Sequence, residues 1–288
     1  MKNFILATRP KTLLAGVIPP LVSYAYFFST TKTHEPLYLA LCVLGALFIQ
    51  LATNFFNDVI DFKKGADASR VGPTRVSAAG LVSVEKVEQW AYLSVALGAL
   101  CGVPLILRGG WPFLVLGLIS LYLTYGYTGG KISIAYRGLG ELFVFLFFGL
   151  FSVMGSFYLF ALKIDFSILM IAIIYGLLTT TFIAVNNLRD RETDSLVGKN
   201  TLAVSLGEKY YKVLTLLTIF LPYALSVFFM NYSLLPLITF ALIPALKLSS
   251  IILTKKGAEL NEGLKFSGIH LILFSLFLGS AFIYAGLL

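Results

Sequence analysis

Apolar residues fall in blocks along this chain, and polar residues gather in the short intervals between them. Runs of roughly 18 or more mostly apolar residues recur from end to end, each long enough to cross a hydrocarbon layer about 30 Å thick. Nine blocks predict nine transmembrane helices, over residues 12–29, 38–57, 86–107, 111–128, 139–161, 166–187, 211–229, 232–254 and 265–286. Turn-like intervals such as "RGG" (108–110) and "MNY" (230–232) separate several of them. No interval is long enough to fold by itself, so residues 1–288 read as one membrane domain. The expected fold is an all-α polytopic membrane protein with nine helices around a central cavity.

Composition agrees with that pattern. The chain is 58% hydrophobic and 12% charged, whereas soluble domains have about 45–50% apolar and about 25% charged residues. Cys42 and Cys101 lie inside apolar blocks and read as small packing residues, not as a disulfide or metal site. The N-terminal stretch with Lys2, Arg9 and Lys11 lacks a small-residue cleavage site, so the block from Thr12 is expected to be a retained span.

Charge orients the blocks. With nine spans, 19 of the 22 Lys and Arg residues fall on the face that holds the N-terminus; only Lys32, Arg108 and Lys163 fall on the other. Basic intervals stay cytoplasmic, so the first face is predicted to be cytoplasmic in a cell membrane. The net charge of +8 then reflects topology and anionic lipid, and no nucleic-acid partner is expected.

Acidic residues are distributed differently. Six of the 14 Asp and Glu residues sit in two stretches, Asp58, Asp61 and Asp67, then Asp190, Glu192 and Asp194, each closing a predicted span on the basic face. One Asp-rich helix end taken alone is an ordinary cap or solvated loop. Here two ends carry matching faces at helical spacing. The first is Asn54, Asn57 or Asp58, Asp61 and Gly65; the second is Asn186, Asp190, Asp194 and Gly198. Asn and Asp oxygens suit a hard cation such as Mg²⁺, which is commonly completed by phosphate oxygens. Interleaved cations (Lys63, Lys64, Arg70, Arg75, Arg189, Arg191, Lys199) suit the rest of a phosphate's charge. A metal-bound diphosphate is the ligand this pattern favours.

These stretches, "NDVIDFKKGAD" and "DRETDSLVGK", resemble the paired Asp motifs of the UbiA superfamily of intramembrane prenyltransferases. That resemblance runs from "RPKT" (9–12) to the last span. It implies a nine-helix fold, two Mg²⁺ ions, a polyprenyl diphosphate donor and an aromatic acceptor within the lipid bilayer. Where many members carry a further Asp four residues after the position of Asp61, this chain has Gly65 and then Asp67. That form, with "YTGGKISIAYRGLGELFVFLFFG" (127–149) and "GKNTLAVSLG" (198–207), is similar to the 1,4-dihydroxy-2-naphthoate polyprenyltransferase branch of menaquinone synthesis. The implied reaction transfers the prenyl chain to 1,4-dihydroxy-2-naphthoate with loss of CO2, giving demethylmenaquinol. A 4-hydroxybenzoate or homogentisate acceptor is the nearest alternative, and a cation-coupled carrier the alternative from another class.

By the same resemblance Asn57, Asp61, Asp190 and Asp194 are expected to bind metal or its water, with Asp58 and Asp67 as further candidates. Asp67 is either the base for an acceptor hydroxyl or a second carboxylate around the metal. Arg9, Lys131, Arg137, Arg189 and Lys199 are candidates for the diphosphate or the acceptor carboxylate, or are ordinary cytoplasmic-side charge. Tyr122, Tyr125, Tyr127 and Tyr136 are candidates to face an allylic cation, or are interfacial anchors. Gly129 and Gly130 of "YTGG" are expected to let backbone approach a substrate. Glu141 is either a helix N-terminal acid or a group that orients an active-site cation.

Overall fold

The computed structural model describes residues 2–66, 72–131, 133–227 and 238–287. The candidates Asp67 and Arg70, the "MNY" interval and the start of the eighth predicted span lie outside them. A short helix α1 (Lys2–Thr8) precedes α2 (Pro10–Thr31), α3 (Pro36–Lys63), α4 (Val84–Gly109) and α5 (Trp111–Gly126). Then follow α6 (Gly140–Ala161), α7 (Phe166–Leu196), α8 (Leu202–Val227), α9 (Leu242–Thr254) and α10 (Asn261–Leu287). Among the described residues seven helices are long and apolar enough to cross a membrane, and α5 and α9 are shorter apolar helices. The expected count of nine spans is thus met in part.

Local chemistry sets the helix starts. Pro10 and Pro36 open α2 and α3, where a missing N–H costs no helical bond. The Asp165 side chain accepts from the Ile168 amide at 2.8 Å and caps α7. Two predicted span ends need correction. The third helix continues through Asp58 and Asp61 to Lys63, and α7 continues through Asp190 and Asp194 to Leu196. Hydropathy ends a span where charges begin, but helical hydrogen bonds continue as long as the side chains find partners. The basic residues Lys209, Lys212, Lys247 and Lys265, expected in connections, likewise belong to α8, α9 and α10.

The two motif glycines end their helices in the same way. Gly65 (φ 72°) and Gly198 (φ 69°) take the left-handed conformation open to glycine. The next residues donate back to the motif, Ala66 N to Asp61 O at 3.0 Å and Lys199 N to Asp194 O at 2.9 Å. These glycines therefore stop the helices just past the carboxylates.

Helix α7 is the centre of the bundle, with 72% of its apolar window buried, against 17% for α4. It packs on α6, α8 and α10, while α2 packs on α3 and α10, and α3 on α4. Leu107, Trp111, Phe166 and Ile243 are among the most exposed side chains, as expected of an apolar outer surface. Within α6, Phe145–Met154 winds as a π-helix, and its Gly149 meets α7 without a side chain between the backbones. A Cβ there would stand 2.7 Å from the Ala172 carbonyl oxygen and the Gly176 nitrogen. Gly149→Ala is expected to destabilise the fold by about 1–3 kcal/mol, the usual overpacking cost. A thermal melt in detergent that matches the parent would refute this close approach.

Candidate active site

At the ends of α3 and α7 both motifs open onto one cavity of ≈ 250 Å³. Its wall includes Asn57 and Asp61 from α3, and Asn186, Asn187, Arg189, Asp190 and Asp194 from α7. Arg9, Arg75, Tyr127, Glu141 and Lys199 also belong to its polar part. Phe143, Val144, Phe147, Phe148 and Phe182 make its apolar side.

Asp61, Asp190 and Asp194 are each engaged by a cation. Asp61, 2% exposed, holds Arg75 Nη1 at 2.7 Å and accepts from the Tyr136 hydroxyl at 3.1 Å. Arg75 also donates to the Asn57 carbonyl at 2.7 Å, which ties the 72–83 segment to α3. Asp190 takes a two-pronged contact from Arg189, Nε at 2.7 Å and Nη2 at 2.6 Å, and Arg189 also donates to Asn261. Lys199 lies 3.3 Å from Asp194 Oδ1. A lone buried carboxylate costs several kcal/mol, so these cations are part of what makes the site foldable.

Tyr136 links the two motifs. Its ring lies under Lys64 Nζ (4.1 Å to the centroid) and Lys199 Nζ (5.6 Å), while its hydroxyl reaches Asp61. Burial and the Asp61 charge push the Tyr136 phenol up, so it remains a donor. Burial likewise raises the Tyr127 phenol, with Glu141 and Asp61 adding to the effect. Asn57 is oriented from both sides: Oδ1 accepts from Arg9 Nη1 at 3.0 Å and Nδ2 donates to Thr128 Oγ1 at 2.9 Å. Arg9 itself has a positive φ of 52° at the α1–α2 corner, a conformation costing on the order of 1–3 kcal/mol in a non-glycine residue.

The remaining candidates fall elsewhere. Asp58 is buried away from the cavity wall and accepts from the Val76 and Ser77 amides at 3.2 and 3.0 Å. Its carboxylate anchors the turn that delivers Arg75. Lys131 and Arg137 are exposed, and Arg137 donates to the Lys131 carbonyl at 3.3 Å. Tyr122 and Tyr125 also point outward, at 62% and 46% exposure. Gly129 gives room to the Tyr125 ring and Ile60, because a Cβ would meet them at 2.8 and 3.0 Å; its small size serves packing within the protein rather than a cavity wall. Glu141 lies in the first turn of α6, but its partners are Asn187 and Tyr211 rather than a cation. Arg75 was one of several cations between the motifs, and only the Asp58 anchor reveals its place against Asp61.

The donor set fits a hard divalent cation. Asn57, Asp61, Asp190 and Asp194 offer oxygens to one cavity, and the buried Asp194 Oδ2 has no hydrogen-bond partner among the described residues. No group of three or more His, Cys, Asp or Glu forms a closed metal cage among them. Mg²⁺ usually takes one or two carboxylates with water and phosphate oxygens.

A family model described as UbiA prenyltransferase family matches residues 17–285. The chain is 36% identical over 207 residues to the 1,4-dihydroxy-2-naphthoate octaprenyltransferase of Haemophilus influenzae, covering 69% of this chain and 67% of that protein. It is 36% identical over 216 residues to the protein of the same name from Mycobacterium tuberculosis, covering 74% and 72%. Among solved structures, a UbiA homolog from Archaeoglobus fulgidus bound to GPP and Mg²⁺ superposes with a TM-score of 0.68 at 19% identity, covering 98% of this chain and 99% of that one. An apo UbiA homolog from Aeropyrum pernix K1 also reaches 0.68, at 14% identity, covering 95% and 97%. At those identities the two structures speak for the fold.

The Asp58→Ala variant is expected to lose about 2 kcal/mol or more of stability, because two buried amides lose their acceptor. An unchanged melting temperature in detergent would show that this carboxylate does not anchor the turn.

Proposed function

We propose that this chain, which belongs to the UbiA prenyltransferase family, transfers a polyprenyl chain from its diphosphate to 1,4-dihydroxy-2-naphthoate. The observation that carries this reading is the adjacency of two unlike cavities. The polar cavity shares Ile49, Ser120, Phe147 and Phe148 with an apolar one of ≈ 380 Å³ between α2, α3, α4, α5 and α6. A charged head group and a long hydrocarbon tail are the two halves of a prenyl diphosphate. The acceptor assignment is supported by the names of the relatives in Haemophilus influenzae and Mycobacterium tuberculosis. The donor assignment is supported by the GPP and Mg²⁺ bound to the Archaeoglobus fulgidus homolog.

The expected membrane arrangement extends the same reading. The seven long helices and two shorter ones make nine spans of one membrane domain, and the excess of basic residues on the site's face orients it to the cytoplasm of a cell membrane.

In the mechanism Asn57, Asp61, Asp190 and Asp194 would hold two Mg²⁺ ions. Bound there, the metal supplies charge neutralisation for the departing diphosphate. Arg9, Arg189 and Lys199 line the same cavity and bind the remaining diphosphate oxygens. As the allylic C–O bond breaks, Phe147 and Phe148 keep water from the carbocation. Tyr127, half-buried, places a phenol in the same wall. The acceptor ring carbon that bears the carboxylate then bonds to the allylic carbon. The ring carboxylate departs as CO2, its electron pair returns to the ring, and demethylmenaquinol and diphosphate are left. Asp67 is proposed as the base for an acceptor hydroxyl or as a further carboxylate near the metal.

The purified protein in detergent is expected to give a Mg²⁺-dependent lipid product from geranylgeranyl diphosphate and 1,4-dihydroxy-2-naphthoate, and none from 4-hydroxybenzoate. Chelation by EDTA should abolish it, and Asp61→Asn or Asp190→Asn should lower the rate by about 100-fold or more. A product with 4-hydroxybenzoate alone, or activity that survives both substitutions, would overturn the assignment.

The apolar cavity yields a separate test. A Cβ at Gly102 would meet nothing within 4 Å, so a larger side chain there projects into the cavity that Gly102 lines. Gly102→Leu should slow transfer from geranylgeranyl diphosphate by about tenfold or more while sparing geranyl diphosphate. Equal rates for both donors, relative to the parent, would place the tail elsewhere.

A further inference from the structure

The metal-and-diphosphate reading leaves one buried acid unused. Glu141 is 5% exposed and belongs to the wall of the polar cavity. Its Oε1 accepts from Asn187 Nδ2 at 2.7 Å and from the Tyr211 hydroxyl. Its Oε2 is buried and has no hydrogen-bond partner among the described residues. Both tethers are neutral, and no ion pair with a described residue neutralises the carboxylate. Every other acid on the cavity wall has a cation against it.

The tethers fix where the empty oxygen sits. Asn187 precedes Asp190 by three residues on α7, so Glu141 is held in register with the second motif. Tyr211 reaches in from α8, and the Glu141 carbonyl accepts from Thr180 Oγ1 at 3.5 Å. Gly140 beside it makes room for the Tyr127 hydroxyl, which a Cβ would meet at 2.9 Å. A carboxylate locked through one oxygen has the other ready for a ligand. Leaving a buried acceptor unmade is costly, so the ligand must bring a hydrogen-bond donor. A diphosphate and a ring carboxylate have only acceptors and negative charge to offer. Of the groups on the proposed substrates, the ring hydroxyls of the acceptor are the donors.

We propose that Glu141 is a catalytic residue of the acceptor site, its Oε2 accepting a hydrogen bond from a hydroxyl of the aromatic acceptor. The inference rests on the prenyl-transfer reading above and adds the residue that recognises the acceptor. When the ring carbon bonds to the allylic carbon, positive charge spreads onto the ring hydroxyls and their protons become more acidic. The bond to Glu141 then strengthens as the transition state forms, while the proton stays between the two oxygens and none is gained or lost. The acceptor oxygen needed for this is already in place and costs no rearrangement during the reaction.

The test compares the parent with Glu141→Gln and Glu141→Asp, using 1,4-dihydroxy-2-naphthoate, 1-hydroxy-2-naphthoate and 4-hydroxy-2-naphthoate. The two monohydroxy compounds are assayed as competitive inhibitors. For E141Q, kcat/KM for the dihydroxy acceptor should fall by about 10–100-fold. The KM for geranylgeranyl diphosphate and the Mg²⁺ half-saturation should stay within about twofold of the parent. E141D should recover part of the loss. The inhibition penalty of E141Q should vanish for the monohydroxy compound that lacks the contacted hydroxyl and persist for the other. An equal penalty for both, or a loss that shifts to the Mg²⁺ or donor dependence, would overturn the inference. Should E141Q fail to fold, E141D keeps the charge, moves the oxygen, and is read in the same comparison. Parent activity on the naphthoate with unaltered acceptor constants in both variants would sink this inference alone. If the parent uses only 4-hydroxybenzoate, the acceptor assignment falls, and inhibition by 4-hydroxybenzoate against benzoate, which lacks the hydroxyl, decides the role of Glu141 separately.

Discussion

Buried carboxylate charge in an apolar bundle is the constraint on which this architecture depends. Asp58, Asp61, Asp194 and Glu141 are each no more than 7% exposed, and an uncompensated acid at such depth costs several kcal/mol. The fold meets that cost differently at each position. Backbone amides hold Asp58, Arg75 and Tyr136 hold Asp61, and Lys199 holds Asp194. Glu141 is held by neutral donors through one oxygen.

The connecting segments follow from this requirement. Residues 72–83 fold back over α3 because Asp58 captures their amides, and that turn carries Arg75 to Asp61. The segment after α5 returns Thr128 and Tyr136 to the same helix end. The short link after α7 ends at Gly198, which turns Lys199 back onto Asp194. Three connections from distant parts of the chain thus converge on one charged cavity. On the proposed reading, a divalent cation and a polyanion take over the carboxylates and cations that here pair with one another.

Much of this was legible in the sequence for identifiable reasons. Long apolar blocks showed the helices, because a bilayer demands length and low charge. Asp61, Asp190 and Asp194 stood out since acids are few and fell at helical spacing. The ends of α3 and α7 were less visible, because hydropathy responds to charge whereas a helix continues wherever its polar side chains are satisfied. Lys131 and Arg137 show the converse case. Their sequence neighbourhood is the same as that of Tyr136, yet their side chains face outward.

The sequence alone therefore determined an all-helical membrane chain, its two oxygen-rich faces, and the glycines that end them, because each of these is a property of local spacing and composition. Tertiary structure decided which acids share a cavity, which one anchors a turn, and which oxygen is left open. Asp58 and Asp61 are three residues apart on one helix and differ only in what the rest of the chain brings to them. Glu141 Oε2, without a partner among the described residues, is placed by donors to Oε1 from Asn187 and Tyr211, 46 and 70 residues away. Such pairings are set by packing between distant helices, and no local pattern records them.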